Sequence, residues 1–304
     1  MTTSSPLSVI ETIAATEVGR GSSLLAPTVA GSLGRAASSL LAQSGLDAWI
    51  FTGFYLPRAT PPTAETDGPV GAVQIAAAVE ALGGRATIVT DQPCGAVLRA
   101  AMDAAGVAAG LSVAPVGEGF EQWLSSARDS ASATHVIAIE RVGVAADGIP
   151  RNMRGQDISG HTAPLERLYS AINATRIAIG DGGNEIGMGV LDAELVARVV
   201  SQGELVHCAT GCDELIVAGT SNWGAQALVA ALALGSPSSS LTALLAPSWN
   251  AFVLDAIVAA GAADGVTLES RASVDGLTTE AYEAVLRSIA DIALATPEHK
   301  EWTS

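Results

Sequence analysis

The segment Gly180–Glu185, Gly-Asp-Gly-Gly-Asn-Glu, follows a short apolar run and combines three glycines with three oxygen-bearing side chains. Its glycine spacing does not fit a dinucleotide-binding fingerprint, because Glu185 stands where the last glycine is required. Carboxylates would also repel a pyrophosphate, whereas they suit a cation. We therefore expect Asp181, Asn184 and Glu185 to face a divalent metal bound through oxygen or the ammonium group of a substrate. A tight turn with incidental polar residues is the less favoured interpretation.

Polar residues also follow other apolar runs, as expected if ligands bind beyond the carboxyl ends of parallel strands. For Asp67 we weigh equally a function and a helix-capping role ahead of Pro69. The pair Glu140-Arg141 is either a structural ion pair or a ligand contact, because an unpaired buried charge is costly. The helix start at Ser221 could cap itself or offer N–H groups to a carboxylate. The full set of such residues is Glu65, Asp67, Glu140, Arg141, Asn152, Arg154, Asp181, Asn184, Glu185, Ser221, Asn222 and Trp223.

Short β-rich runs alternate with alanine-rich helical segments along the chain, which indicates an α/β fold with a mostly parallel sheet covered by helices on both faces. We expect one domain over residues 34–304 after an N-terminal lead-in over residues 1–33. Residues 141–161 form a long loop, and such loops are usually functional or disordered. The predicted strands are Asp47–Gly53, Arg85–Asp91, Leu111–Pro115, His135–Glu140, Arg176–Asp181, Glu214–Gly219, Leu241–Leu245 and Gly265–Glu269. The predicted helices are Val70–Leu82, Cys94–Ala105, Glu118–Ser130, Pro164–Ala174, Trp223–Leu234 and Thr279–Leu294.

Composition excludes several functions. The formal net charge of −16 argues against a nucleic-acid partner, and no apolar run approaches the length of about 20 residues that a membrane span needs. The only lysine, Lys300, lies four residues from the C-terminus, which is a poor position for a Schiff base. The phosphate loop of nucleotide triphosphatases is absent. We expect a cytoplasmic protein whose three cysteines are structural thiols. The sequence leaves a homo-oligomer open.

Seven motifs together resemble the D-glutamate cyclase-like family in type and order. They are TGFYLP (52–57), ETDGP (65–69), VTD (89–91), IERVG (139–143), DG…NMRGQDIS (147–159), IGDGGNEIGMG (179–189) and LIVAGTSNWGA (215–225). The resemblance covers nearly the whole chain, from about Glu11 to the C-terminal helix. It implies a hydro-lyase that interconverts D-glutamate with 5-oxo-D-proline and water, and hence a small acidic amino acid as the partner.

The cyclisation of D-glutamate requires acid–base, substrate-binding and charge-neutralising groups, and the strand-end residues supply candidates for each. Candidate acid–base residues are Glu185, Glu140, Glu65 and Asp181, and candidate substrate-binding residues are Arg141, Asn152, Arg154, Asp67, Ser221, Asn222 and Trp223. Asp181, Asn184 and Glu185 could hold Mg²⁺ or Mn²⁺, although the chemistry does not require a metal, since an arginine could neutralise the γ-carboxylate instead. Two alternatives stay open, namely a metal-dependent hydrolase of a small acidic lactam or amide, and a non-catalytic protein that binds an acidic amino acid.

Overall fold

A six-stranded parallel sheet forms the centre of the computed structural model, which describes residues 5–295. A separate antiparallel pair of two-residue strands lies beside it. The strands are β1 (Asp47–Thr52), β2 (Tyr55–Leu56), β3 (Thr63–Ala64), β4 (Arg85–Asp91), β5 (Gly110–Ala114), β6 (His135–Ile139), β7 (Thr175–Gly180) and β8 (Glu214–Val217).

The strand order in the sheet is β5-β4-β1-β6-β7-β8. The chain therefore builds outward from β1 through β4 to β5, and then returns to the other side of β1 with β6, β7 and β8. This is the order of doubly wound folds, in which ligands bind where the direction of winding reverses. Here the reversal lies between β1 and β6, and Glu140 follows β6 directly.

Helices cover both faces of the sheet, which confirms the predicted fold class. Alternate strand residues feed two separate cores: Ile50, Ile137 and Ile177 point into one, and Phe51 and Ala138 into the other. The helices are α1 (Pro6–Ala14), α2 (Ser22–Leu25), α3 (Ser32–Ala42), α4 (Pro69–Ala81), α5 (Gly95–Ala105), α6 (Phe120–Ser130), α7 (Glu166–Ala171), α8 (Ala193–Val199), α9 (Gly203–Val206), α10 (Ser221–Gly235), α11 (Ser239–Leu244), α12 (Pro247–Ala259) and α13 (Thr279–Ala295).

Helix α10 lies at the centre of the thicker helical layer, where it packs against α3, α4 and α13. Its residues from Ser221 to Ala233 are all buried, as expected of a helix that is apolar around its whole circumference. The N-terminal α1 joins the same layer through Ile10 and Ala14, and the Ala14 carbonyl accepts a hydrogen bond from Gly219 N. Residues ahead of α3 are therefore packed onto the carboxyl end of β8.

Two of the eight predicted strands are wrong. Leu241–Leu245 falls largely within α11, whose start is capped by the Ser238 hydroxyl accepting from Leu241 N. A short apolar run has no periodicity that distinguishes a strand from a buried helix. Gly265–Glu269 is a turn, because the Asp264 carboxylate accepts N–H bonds from Val266 and Thr267 and holds the chain bent.

The other six predicted strands and all six predicted helices are present, with some differences at their ends. Helices α2, α3, α8, α9 and α12 and the short strands β2 and β3 were not predicted. Lys300, which we judged poorly placed for a Schiff base, lies outside the described residues. Within residues 5–295 no helix is both long and apolar enough to cross a membrane.

Candidate active site

Six carboxylates converge beyond the carboxyl ends of β6 and β7. Five of them form two triads that share Asp181, and within each triad one oxygen per residue lies within 4.8 Å of the others. One triad is Asp67, Asp181 and Asp275, and the other is Glu140, Asp181 and Glu185. Glu65 is also buried beside them, and its pKa is raised by burial and by the charges of Asp275 and Asp67. We call these six residues the carboxylate cluster: Glu65, Asp67, Glu140, Asp181, Glu185 and Asp275.

Arg20 is the positively charged side chain that the described structure pairs with this cluster. Its Nη1 donates to Asp181 Oδ1 at 2.6 Å and its Nη2 donates to Asp275 Oδ1. Burial alone would lower the pKa of Arg20, but Asp181 and Asp275 outweigh it and raise that pKa well above the ordinary value. The guanidinium is therefore a permanent cation within an acidic site.

A carboxylate outside the cluster fixes the loop that carries Arg20. One oxygen of Glu17 accepts N–H bonds from Gly19, Arg20 and Gly21 at 2.6, 2.8 and 3.0 Å, and its other oxygen accepts from the Ser23 hydroxyl at 2.9 Å. The loop thus presents Arg20 to the cluster in one defined conformation.

Backbone geometry brings two of the carboxylates inward. Glu140 and Asp275 have φ angles of 42° and 53°, in the left-handed region that non-glycine residues rarely adopt. Gly68 lets the start of α4 approach Glu140, because a Cβ at Gly68 would lie 2.7 Å from the Glu140 Cβ. Such strained positions commonly occur at functional sites.

The Gly180–Glu185 loop folds around the Glu185 side chain. Glu185 Oε1 accepts the N–H groups of Asp181 at 2.8 Å and Gly182 at 2.6 Å, whereas Oε2 is buried and accepts no hydrogen bond. The Asn184 amide donates to the Arg151 carbonyl at 2.7 Å, which ties this loop to the long loop 141–161. The loop returns towards β7 at Gly187, where a Cβ would lie 2.0 Å from the Ala178 Cβ.

Asp67 caps a helix, but not the one expected. Its two oxygens accept the N–H groups of Ser221 and Asn222, both at 2.8 Å, at the start of α10. The N-cap of α4 is Gly68 and has no side-chain hydrogen bond. Because Asp67 occupies the first N–H groups of α10, the expectation that they hold a substrate carboxylate is not supported.

The side chains at the start of α10 serve the site indirectly. The Ser221 hydroxyl donates to Glu140 Oε2 at 2.6 Å, and the Asn222 amide oxygen accepts from Gly68 N and Gly71 N. The Trp223 indole is buried and donates to the Tyr282 carbonyl. Of these contacts, that of the Ser221 hydroxyl orients Glu140, whereas those of the Asn222 and Trp223 side chains join α10 to α4 and α13.

The two arginines predicted to grip substrate carboxylates occupy other surroundings. Arg141 is buried, pairs with Asp91 at 2.7 Å and donates to the carbonyls of Gly53 and Ala163, so its role is to join loops. Arg154 is exposed, and its backbone N–H donates to the Asn152 amide oxygen. Asn152 also accepts from Gln156 N and so shapes the loop.

Burial raises the pKa of most cluster carboxylates. The pKa of Asp67 rises to about 7 through burial and the nearby Asp275, even though two N–H bonds oppose the rise. The pKa values of Glu65, Glu140 and Asp181 rise well above their ordinary values, also mainly through burial. The cluster therefore retains protons near neutral pH and contains both proton donors and acceptors.

Two members of the site, Arg20 and Asp275, were not predicted. Arg20 lies between two glycines in the lead-in, and Asp275 precedes Gly276 in what looks like an ordinary turn. Neither follows a strand, so a search of strand ends overlooks both. The Gly-Arg-Gly triplet is too common to identify a site residue.

The donor set suits a hard cation. Asp181 Oδ2, Glu185 Oε2 and Asp275 Oδ2 are buried without a hydrogen-bond partner, and carboxylate oxygens are the ligands that Mg²⁺ and Mn²⁺ prefer. Asn184, also predicted as a ligand, lies nearby: a Cβ at Gly182 would be 3.3 Å from both Asn184 Oδ1 and Glu185 Oε1.

Fold and site together define a doubly wound α/β protein with a cluster of buried acid–base groups beyond the strand ends, where proteins of this fold class bind their ligands. A family model described as "D-glutamate cyclase-like, C-terminal" matches residues 10–290, and the chain belongs to this family.

The human protein named "D-glutamate cyclase, mitochondrial" is 33% identical over 198 residues. The alignment covers 60% of this chain and 32% of the human protein, so the chain corresponds to about a third of that relative. The expected cytoplasmic location of this chain stays a prediction.

Proposed function

We propose that this protein catalyses the dehydrating cyclisation of D-glutamate to 5-oxo-D-proline and the reverse hydration. The observation that supports this most directly is the buried carboxylate cluster with Arg20 inside it. A site of this composition can hold a substrate ammonium and can exchange protons with it near neutral pH. Family membership supports the choice of substrate.

The reaction moves two protons and one oxygen. The ammonium group loses a proton, the neutral amine attacks the γ-carboxyl carbon, and a C–N bond forms. The tetrahedral intermediate then loses the second nitrogen proton as one C–O bond breaks. Both protons leave on that oxygen as water, so the net charge of the organic molecule is unchanged. The site must therefore supply a base next to the nitrogen and an acid next to the γ-carboxyl oxygens.

Glu185 is our candidate for the base. Its Oε1 is fixed by two N–H groups, while its buried Oε2 accepts no hydrogen bond and is free to take a proton. Fixing one oxygen orients the other, as proton transfer requires.

Glu140 is our candidate for the acid. Burial and the neighbouring Glu185 raise its pKa well above the ordinary value, which favours the protonated form that can donate to the departing oxygen. The Ser221 hydroxyl holds Glu140 Oε2 at 2.6 Å and so orients this group. Glu65 and Asp67 are protonatable neighbours that could return the proton after each turnover.

Asp181 and Arg20 determine the charge that the site presents to the substrate. Burial raises the pKa of both Asp181 and Asp275, and Arg20, which is shared between them, opposes that rise. A cluster carboxylate in its ionised form attracts the substrate ammonium, and the guanidinium lowers the repulsion that the substrate carboxylates would otherwise meet.

Purified protein incubated separately with D-glutamate, L-glutamate and 5-oxo-D-proline tests the proposal. Chiral chromatography should show D-glutamate and 5-oxo-D-proline interconverting while L-glutamate is unchanged. Asp181→Asn should lose this activity, and Glu194→Gln, in the first turn of α8, should keep it as the control. Thermal stabilisation by D-glutamate without any product would indicate a binding protein and reject the proposal.

A further inference from the structure

We propose that Arg20 binds the substrate carboxylate that does not react, the one on the α-carbon, and that it thereby selects one enantiomer of glutamate. Asp275 occupies in this structure the position assigned to that carboxylate. The inference deepens the proposed function and rests on it for the identity of the substrate. The arginines expected in this role, Arg141 and Arg154, have other surroundings.

The first observation is the need for a cation. Glutamate carries two carboxylates and one ammonium, and the carboxylate cluster attracts only the ammonium. Among the described residues 5–295, Arg20 forms the ion pairs with the cluster, whereas the guanidinium of Arg141 is taken up by Asp91 and two backbone carbonyls. A guanidinium binds a carboxylate through parallel N–H bonds. Arg20 is therefore in place to neutralise a substrate carboxylate.

The second observation is accessibility. The Arg20 side chain is 19% exposed, whereas its partners Asp181 and Asp275 are each 1% exposed. The guanidinium thus lies on the outer side of the cluster, and the candidate acid Glu140 and base Glu185 are buried behind it. The reacting end of the substrate must reach these deeper groups, so its other carboxylate remains on the side of Arg20.

The third observation is the position of Arg20 relative to the candidate base. Arg20 Nη1 donates to Asp181 Oδ1 at 2.6 Å, and the N–H group of Asp181 donates to Glu185 Oε1 at 2.8 Å. Arg20 and Glu185 therefore both contact Asp181. The amine and the α-carboxylate of glutamate are bonded to the same carbon, so the groups that bind them must be neighbours. Glu185 and Arg20 meet this requirement.

The contact between Arg20 Nη2 and Asp275 is the one that a substrate carboxylate can replace. Asp275 belongs to a turn outside the sheet and has a φ angle of 53°, whereas Asp181 directly follows β7. Glu17 holds the Arg20 loop through N–H bonds that do not involve the cluster. The loop therefore keeps its conformation when Nη2 passes from one carboxylate to the other, and the guanidinium stays paired throughout.

The same contact provides stereochemical selection. When the amine attacks the γ-carboxyl carbon, a five-membered ring forms and the α-carboxylate projects from one face of it. The other enantiomer projects this group from the opposite face. With the amine held at Glu185 and the γ-carboxyl at Glu140, only one enantiomer directs its α-carboxylate to Arg20. Under the proposed function this enantiomer is D-glutamate.

γ-Aminobutyrate is the probe for the test, because it is glutamate without the α-carboxylate. Apparent dissociation constants of D-glutamate, L-glutamate and γ-aminobutyrate are obtained from the melting temperature of the full chain as a function of ligand concentration. Arg20→Gln should weaken D-glutamate by about 100-fold, the loss expected when one partner of a buried charge pair is removed. It should leave γ-aminobutyrate nearly unchanged and abolish the preference for D- over L-glutamate.

Equal weakening of D-glutamate and γ-aminobutyrate would overturn the proposal, because Arg20 would then act only on the charge of the cluster. An undiminished preference for D-glutamate in Arg20→Gln would also overturn it. Arg35→Gln is the control, since Arg35 pairs with Glu214 at the surface, and all three constants should stay the same.

Arg20→Lys keeps the charge and serves if Arg20→Gln shows no cooperative melting transition. Lysine lacks the planar fork, so D-glutamate should bind more weakly than to the unmodified chain while γ-aminobutyrate is unaffected. Weakening of both ligands to the same extent would again contradict the contact with the α-carboxylate.

Failure of this inference is distinguishable from failure of the proposed function, because the binding measurement requires no turnover. A selective loss of D-glutamate binding in Arg20→Gln, together with an unmodified chain that forms no 5-oxo-D-proline, would reject only the cyclase activity. Turnover of D-glutamate by the unmodified chain, together with equal losses for D-glutamate and γ-aminobutyrate in the variant, would reject only the role of Arg20.

Discussion

The Arg20 guanidinium lies 2.6 Å from Asp181 Oδ1, although 161 positions separate the two residues in the chain. Asp181 is delivered by the end of β7, as a doubly wound sheet predicts, whereas Arg20 arrives from the segment ahead of the first strand. The N-terminal segment is therefore part of the site and not only a lead-in to the fold. The same guanidinium reaches Asp275 near the other end of the chain, so the site joins both ends to the central sheet.

Arg20→Gln should lower kcat/KM for D-glutamate by about 10²- to 10³-fold, the range seen when one preorganised charge-stabilising donor is removed. Arg20→Lys keeps the charge but cannot donate to both aspartates through a planar fork, so it should retain an intermediate rate. Arg35→Gln is the control, since Arg35 pairs with Glu214 at a surface where its side chain is 58% exposed. Initial rates measure the effect, and an unchanged rate in Arg20→Gln would remove it from the mechanism.

Glu185→Gln should abolish turnover while preserving the fold. The glutamine oxygen can still accept from Asp181 N and Gly182 N, but the amide cannot take up a proton. Rates and a melting curve measured on the same preparation separate the two effects. Full activity would exclude Glu185 as the base, and a large fall in melting temperature would indicate a structural role.

Much of the sheet could be predicted because β1, β4, β6, β7 and β8 are apolar runs bounded by turn residues. Such runs have few alternatives in a chain of alternating strands and helices. The order of the strands could not be predicted, because it depends on which helices pack on which face. Leu241–Leu245 shows the limit, since an apolar pentapeptide fits a strand and a buried helix equally well until its cap is seen.

Four of the six cluster carboxylates, Glu65, Glu140, Asp181 and Glu185, were predicted as acid–base candidates because they follow strands or their loops. The partners of the predicted arginines could not be inferred in the same way. A guanidinium reaches several ångströms from its backbone, and the sequence does not say that Arg141 turns towards Asp91. Arg20 was missed for the same reason, because its partners come from distant segments.

Arg141→Met should lower the free energy of unfolding by about 3–5 kcal/mol, since it leaves the buried Asp91 carboxylate without its partner. Arg154→Ala, at an exposed position, should change that free energy by less than about 0.5 kcal/mol. Urea denaturation measures both. If Arg141 instead bound substrate, its variant would raise KM and leave stability unchanged, which would contradict the structural role assigned to it here.

Glu17 should make folding stability depend on pH in the acid range. Burial alone would raise the pKa of Glu17, but N–H bonds from Gly21, Gly19 and Ser23 and the Ser23 hydroxyl lower it from 4.5 to about 2. Between these values the unfolded chain binds more protons than the folded one, so this contribution is present above pH 4.5 and is lost as the pH falls towards 2. Glu17→Gln lacks it at every pH. The gap in melting temperature between the unmodified chain and Glu17→Gln should therefore be largest at pH 6 and shrink by pH 2.5, and a gap that stays constant would show that the carboxylate charge does not hold the Arg20 loop.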